Sequence, residues 1–354
     1  MAVILSPNPC RHMPETVIVT EKEFLKAEDI FRGWTAVRFI AGPREETALA
    51  ALVVQERARA VIVGVDAYSG PLYEALHTTG SAGGALIARF GVGHDRVDKA
   101  LARQNGVLVC NTPGALDLSV AEHVIWLLGS LARGVSQAEA NMIKGKFEGR
   151  TGREMQGKRL GILGFGNIGR KVAAATHFGL GMEVWAAGTK SVEALEKIEQ
   201  RRLADLQKTW GIAVYTTEVT RLLAECDYVS VHLPAIPSTR HFINAARLGL
   251  MPPSASLINT ARGWVVDETA LYDALAEGHL AGAALDVFEN EPYRPVTPEK
   301  DLRTLGNIVL TPHIGSNTVE ANQRMAGLCV KNVTHFFAGR LDQITLVPVA
   351  MGKK

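Results

Sequence analysis

The stretch Lys158–Phe178, KRLGILGFGNIGRKVAAATHF, decides the fold. It carries Gly164-x-Gly166-x-x-Gly169 between an apolar run, Leu160 to Leu163, and a helical run, Lys171 to Phe178. Strand, glycine turn and helix in that order suit a dinucleotide pyrophosphate. Gly164 permits the tight turn, Gly166 lets the backbone approach the phosphates, and Gly169 lets the helix pack on the strand. The helix start adds unpaired N–H groups and the positive end of a dipole. Alone, the pattern could mark an ordinary glycine turn; its flanks make it informative.

The next apolar run, MEVWAA, should be the second strand of a Rossmann unit. An acid for the ribose hydroxyls belongs at its end, about 20 residues after the glycines. That position is Gly188, followed by Thr189 and Lys190. With no carboxylate there, a 2′-phosphate meets no repulsion; Thr189 offers a hydrogen bond and Lys190 a positive charge. The expected cofactor is NADP(H) before NAD(H). Arg201 and Arg202 would help only if the following helix, read over Ser191–Lys208, folds back. That helix should bury Ala194, Leu195, Ile198, Leu203 and Leu206. The bland alternative is a strand-to-helix turn with a solvated lysine.

The remaining chain is consistent with this start. At 354 residues and about 150 per domain, two domains are expected. Hydrophobic residues make up 47% and charged residues 21%, and the net charge is +2. These values suit a globular protein and give no reason to expect nucleic acid or an anionic membrane as partner. Cys10, Cys110, Cys226 and Cys329 form no CxxC pair, which argues against a disulfide framework or zinc site. The run Ala2 to Leu5 is too short for a signal peptide core. No apolar stretch approaches the roughly 20 residues of a membrane span, so a cytoplasmic protein is expected. Strand-like runs alternate with helical ones, which predicts an α/β chain with parallel sheet. A long helix is predicted over LSVAEHVIWLLGSLARGVSQAEANMIKGKF, opened by a capping box of Ser119 and Glu122. Val120, Val124, Leu127, Leu128 and Leu131 recur on its core face, and His123 and Trp126 are expected to pack or form an interface.

Three later segments share one design: SASLINTARG ends on Arg262, AGAALDVFENEP reaches Glu291, and GNIVLTPHIGS reaches His313. Ligands of an open parallel sheet bind beyond the carboxyl ends of its strands, so all three side chains should face one crevice. A guanidinium can hold a carboxylate through paired hydrogen bonds and polarise a neighbouring carbonyl. A histidine can protonate a developing alkoxide, and a glutamate beside it favours the imidazolium and fixes the ring. His232, in VSVHLP, also ends a strand and either lines the adenine side or packs; Pro234 in the same stretch is counted with the cofactor contacts. His177, His241 and His279 show no metal-ligand spacing, and no GxSxG or Cys–His signature is present, so neither a metal nor nucleophilic hydrolysis is expected.

In this order, GILGFGNIGRKVA, LINTARGWVVDETAL, GAALDVFENEP and LTPHIGS resemble the D-isomer-specific 2-hydroxyacid dehydrogenases. The resemblance implies a Rossmann dinucleotide-binding domain, 114–317, inserted in a flavodoxin-like substrate domain, 1–113 and 318–354. It places the family's catalytic residues on Arg262, Glu291 and His313, preferring Glu291 to Glu289 because a proline follows. It assigns cofactor contacts to Asn167, Ile168, Thr260, Ala261, Arg262, Asp286, His313, Gly315 and Ser316. It assigns the substrate carboxylate to Gly91, Val92 and Gly93 of ARFGVGHD, together with Arg262. A homodimer through the helical region after NTPG is implied. So is reduction of a small 2-oxo acid such as glyoxylate or hydroxypyruvate. A phosphoglycerate-type dehydrogenase and a cofactor-sensing binding protein remain alternatives at this point.

Overall fold

A computed structural model describes residues 14–81, 83–188 and 190–348. The chain divides into two compact units, 1–116 with 319–354, and 117–318. Each is an α/β layer structure around a parallel sheet.

The first unit's strands are β1 (Thr16–Thr20), β2 (Arg38–Gly42), β3 (Ala60–Val63), β4 (Ala85–Arg89) and β5 (Val107–Cys110). They lie in the order β2-β1-β3-β4-β5, with every pairing parallel. This is the flavodoxin-like order, whose switch point falls between β1 and β3. β3 and β4 are buried along their whole length, as continuous aliphatic runs in doubly covered parallel strands should be. Sequence reading located β3, β4 and β5 but passed over β1 and β2.

The second unit holds β6 (Arg159–Leu163), β7 (Glu183–Ala187), β8 (Ile212–Thr216), β9 (Tyr228–Val231), β10 (Ser256–Asn259), β11 (Gly282–Leu285) and β12 (Ile308–Leu310). Their order is β12-β11-β10-β9-β6-β7-β8, again all parallel. Six of these strands follow the doubly wound dinucleotide-binding order, with the switch point between β6 and β9. Alternate side chains of β6 enter different cores. Leu160 and Ile162 join Val124, Leu128 and Val172 on one face, while Leu163 joins Leu222, Leu257 and Leu271 on the other. Burying each such side chain contributes about 1.5–3 kcal/mol, which is how the strand's apolar run selects the doubly covered central position.

Two expected helices are each broken. The first runs Asp117–Arg133 and stops at Gly134, whose φ of +65° turns the chain into a separate helix, Val135–Ile143. It begins two residues before Ser119. The expected capping box is absent, because the Ser119 hydroxyl lies 2.8 Å from that of Thr318 instead. The second divides into Val192–Glu199 and Leu203–Trp210 at Gln200, in the left-handed region at φ +53°. Leu195 and Leu206 are buried as expected, but Ile198 is exposed. In both cases apolar periodicity continued across a backbone reversal that it does not report. Among the described residues, no helix is long and apolar enough to cross a membrane.

Candidate active site

The glycine turn follows β6 at the switch point. Gly164 has φ +103°, and a Cβ there would sit 2.7 Å from the His232 carbonyl oxygen. Gly169 is equally closed, since a Cβ would fall on the Gly164 carbonyl and 3.0 Å from Ile162 Cγ2. Gly166 is the opposite case. It precedes the helix Asn167–Ala174, and nothing lies within 4 Å of the Cβ it lacks. Two glycines close the turn onto the sheet, and the middle one leaves open space before the helix N-terminus, beside Asn167 and Ile168. At the end of β10 the Thr260 hydroxyl is buried with no hydrogen-bond partner among the described residues. An open backbone cradle and an orphaned hydroxyl fit a dinucleotide.

In β9, Ser230 Oγ lies 2.9 Å from Nε2 of His232, the first residue past the strand. Burial pushes the His232 imidazole down to about 4, so at neutral pH it is an uncharged wall of the turn. Pro234, just after it, is exposed.

Gly188 directly follows β7, and its N–H donates to the Thr216 carbonyl at 3.1 Å. A Cβ on Gly188 would overlap the Tyr215 hydroxyl. That hydroxyl donates to the Lys190 carbonyl at 3.2 Å. The position expected to hold an acid therefore lacks both a carboxylate and the room for one while Tyr215 stays in place. Thr189 lies outside the described residues. Close by, the Arg170 guanidinium makes two hydrogen bonds to Glu199, of 2.6 and 3.1 Å, and lies over the Phe165 ring. Hydrogen bonding to Arg170 holds the Glu199 carboxyl below the usual range, and the charges of Lys190 and Arg201 add to this. Three cations thus share one carboxylate at this strand end.

The three candidate catalytic residues follow β10, β11 and β12, which are neighbours in the sheet. Asn259, the last residue of β10, brackets the turn that carries Arg262. It accepts from the Ala261 N–H at 3.0 Å and donates to the Arg262 carbonyl at 2.9 Å. Arg262 Nη1 donates to the Ala261 carbonyl at 2.6 Å. After β11, Glu291 accepts the Phe288 N–H at Oε1, 3.1 Å, and faces His313 Nδ1 with Oε2, 3.0 Å. One carboxylate therefore ties its own loop to the imidazole. With Nδ1 engaged, Nε2 is the ring nitrogen left to exchange a proton with a ligand. His313 itself is left-handed at φ +53°, a conformation that costs a non-glycine residue about 1 kcal/mol or more and needs surrounding support.

Asp286 supplies that support. Sequence reading expected it to touch the cofactor, but its side chain is turned inward and only 1% of the residue is exposed. Its oxygens accept from Thr311 Oγ1 at 2.7 Å and from the amides of Ile314 and Gly315 at 2.8 Å each. Burial opposes its ionisation most strongly, yet hydrogen bonds from His123, Thr311 and the two amides together keep its carboxyl below the ordinary value. The residue that the resemblance assigns to the cofactor therefore also clamps the loop from Thr311 to Gly315. His123, expected to pack or form an interface, reaches this clamp. Its Nε2 lies 3.2 Å from Thr311 Oγ1 and 3.4 Å from Asp286 Oδ1. Trp126 on the same helix is 76% exposed rather than packed within the chain.

In the first unit, β4 leads into the loop of Gly91, Val92 and Gly93. Gly91 has φ +142°, and a Cβ there would strike the Arg89 guanidinium. The Gly91 N–H donates to the Arg89 carbonyl at 2.9 Å, so one of the three amides assigned to a substrate carboxylate is already bonded inside the loop. Asn111 Nδ2 holds the Val92 carbonyl at 2.8 Å.

Comparison with known proteins identifies the family. A sequence model of the D-isomer specific 2-hydroxyacid dehydrogenase NAD binding domain matches residues 125–315. A glyoxylate reductase of Thermococcus litoralis is 40% identical over 266 residues, covering 72% of this chain and 75% of that protein. The chain belongs to this family. A hydroxypyruvate reductase of Thermotoga maritima is 38% identical over 242 residues, 68% of this chain and 73% of that one. Among solved structures, an NADPH-dependent glyoxylate/hydroxypyruvate reductase of Sinorhizobium meliloti, in complex with NADP and malonate, superposes with a TM-score of 0.76. It is 28% identical, with 95% of this chain and 98% of that one covered. The protein is a 2-hydroxyacid dehydrogenase, an oxidoreductase with an NAD binding domain that interconverts 2-oxo and D-2-hydroxy acids. Two positions that sequence reading did not single out for the site adjoin it: Tyr215, which fills the space beside Gly188, and His123, which reaches Asp286 and Thr311. Neither carries a motif signal, because each meets the site through a neighbour distant in sequence.

Proposed function

We propose that this dehydrogenase works as an NADPH-preferring reductase of small 2-oxo acids of the glyoxylate and hydroxypyruvate type. The observation that carries the chemistry is the 3.0 Å contact of His313 Nδ1 with Glu291, on the strand end next to that of Arg262. Arg262 holds the substrate carboxylate and polarises the adjacent carbonyl. When bound, the reduced nicotinamide supplies the hydride. His313, protonated and oriented by Glu291, delivers the Nε2 proton to the carbonyl oxygen as negative charge builds there. Asp286 keeps the His313 loop in register.

The residues that would hold the cofactor are Gly164, Gly166, Asn167, Ile168 and Gly169 at the pyrophosphate, His232 and Pro234 toward the adenine, and Thr260, Ala261, Gly315 and Ser316 around the nicotinamide half. Lys190 and Arg170 would meet a 2′-phosphate. The preference for NADPH is supported by the missing acid at Gly188, the Tyr215 hydroxyl occupying its room, and the excess of cations over Glu199. The relatives' printed activities support the substrate class. The Gly91–Gly93 loop is assigned to the substrate carboxylate on the family resemblance. A homodimer through the helices Asp117–Arg133 and Val135–Ile143 is supported by their exposed apolar side chains, Trp126 and Ile143 among them. The test is cofactor oxidation with NADPH and NADH against a panel of 2-oxo acids. Turnover of glyoxylate or hydroxypyruvate with the higher kcat/KM for NADPH is expected. No turnover by folded protein would overturn the reading.

A further inference from the structure

A second histidine–carboxylate group lies next to the catalytic one and takes no part in the scheme above. His241 Nε2 is 2.8 Å from Glu289 Oε2. His241 is itself left-handed, at φ +44°, and its N–H donates to the Trp264 carbonyl at 2.9 Å. Glu289 and Glu268 exchange bonds. The Glu268 N–H donates to Glu289 Oε1 at 3.2 Å, and the Glu289 N–H donates to Glu268 Oε1.

This exchange joins the two segments that carry Arg262 and Glu291. Glu268 opens the helix Glu268–Ala276, a few residues after Arg262. Glu289 stands on the loop after β11, two residues before Glu291. The segments also touch through backbone, since Gly263 lies so close to Phe288 that a Cβ would fall on its carbonyl carbon. Glu268 is only 4% exposed, and its second oxygen, Oε2, is buried with no hydrogen-bond partner among the described residues. An ionised oxygen left bare in that position is costly, and two further carboxylates face it from one loop.

We propose that Glu268 is a positioning residue for catalysis, which in its neutral form ties the Arg262 segment to the Glu291 loop and on ionisation loosens that tie. The inference rests on the assignment of Arg262, Glu291 and His313 as the catalytic set. The groups facing Glu268 are Glu289 and Glu291 from the loop after β11, His241 from the segment before β10, and Tyr293 beyond the loop. Burial, with the charges of Glu289 and Glu291 against it, raises the Glu268 carboxyl from 4.5 to about 7; the Glu289 amide and His241 pull the other way. Between those values the folded protein keeps a proton that the unfolded chain has released. Stability from this group is therefore present at low pH and is lost as pH rises toward 7 and beyond.

Glu268→Gln tests this, because an amide keeps the carbonyl that accepts the Glu289 N–H and cannot ionise. In the cofactor-free protein, Tm of the variant minus Tm of wild type should increase as pH goes from 5 to 8. In turnover, the ratio of kcat at pH 8 to kcat at pH 6 should be several-fold higher in the variant than in wild type. A Tm difference that stays flat with pH would show that Glu268 holds no proton, and superimposable normalised kcat profiles would show that its ionisation does not reach the site. Either result overturns the inference. Glu289→Gln gives an independent route, since removing that charge should move the pH break in Tm lower, and an unmoved break overturns the proposal as well. Full turnover in His313→Ala would instead remove the assignment on which the inference rests.

Discussion

On the proposed preference for NADPH, Gly188→Asp is the substitution expected to favour NAD, and the structure says why it will not work alone. The Cβ of any side chain at 188 overlaps the Tyr215 hydroxyl, which is engaged with the Lys190 carbonyl. Forcing it in costs about 1–3 kcal/mol of overpacking and about 1 kcal/mol for the lost hydrogen bond. Tyr215→Phe removes the obstructing oxygen, and the next atom, Cζ, is 3.1 Å from the new Cβ, tight but open to a small ring shift. In the Gly188→Asp/Tyr215→Phe double variant the new carboxylate faces a 2′-phosphate of charge between one and two. Like charges about 4 Å apart cost about 1 kcal/mol per charge pair at the dielectric of water and more in a partly shielded site. A penalty of about 2 kcal/mol, roughly thirtyfold, is expected against NADPH. The assay is kcat/KM for both cofactors at fixed saturating 2-oxo acid and low ionic strength, with Tm recorded for every variant. The NADPH/NADH ratio should fall at least tenfold in the double variant, and the single variant should lose Tm. An unchanged ratio in a double variant as stable as wild type would show that this strand end does not choose the cofactor.

His313→Ala should lower kcat by two or more orders of magnitude while cofactor affinity, followed by nicotinamide fluorescence, stays within a few-fold of wild type. Gly166→Ala and Gly164→Ala should separate binding from folding. Alanine at 166 meets no protein atom within 4 Å, so Tm should hold while cofactor affinity falls about tenfold or more; at 164 both should fall, because φ is +103° and the carbonyl of His232 is 2.7 Å away. Equal Tm losses at the two positions would contradict the closed and open roles given to them. Trp126→Glu should shift the mass measured by light scattering from dimer toward monomer, and a monomeric wild type would remove the proposed interface.

Much of the active site was legible because its residues announce themselves in register with the backbone. Gly164, Gly166 and Gly169 are spaced by the needs of one turn, and Arg262, Glu291 and His313 each follow an aliphatic run that forms a parallel strand. What hid were residues whose meaning depends on partners far along the chain. Asp286 has the sequence position of a ligand contact, but its oxygens are spent on Thr311, Ile314 and Gly315, 25 to 29 residues later. The breaks at Gly134 and Gln200 were missed for a related reason. Apolar spacing records which face is buried, and it continues unchanged through a single left-handed residue.

By itself the sequence determined the strand–turn–helix unit, the α/β class and the absence of an acid after β7, and it nominated Arg262, Glu291 and His313 as the proposed trio, since these follow from local periodicity and residue chemistry. Only the tertiary structure decided that the missing acid is also sterically excluded, by Tyr215 from the neighbouring strand. It alone showed that Glu289 serves His241 while Glu291 serves His313, although the two carboxylates stand two residues apart. Side-chain direction in a loop is set by what packs against it, and the packing partners Glu268 and Gly263 come from the segment after β10, which meets this loop only when the sheet is assembled.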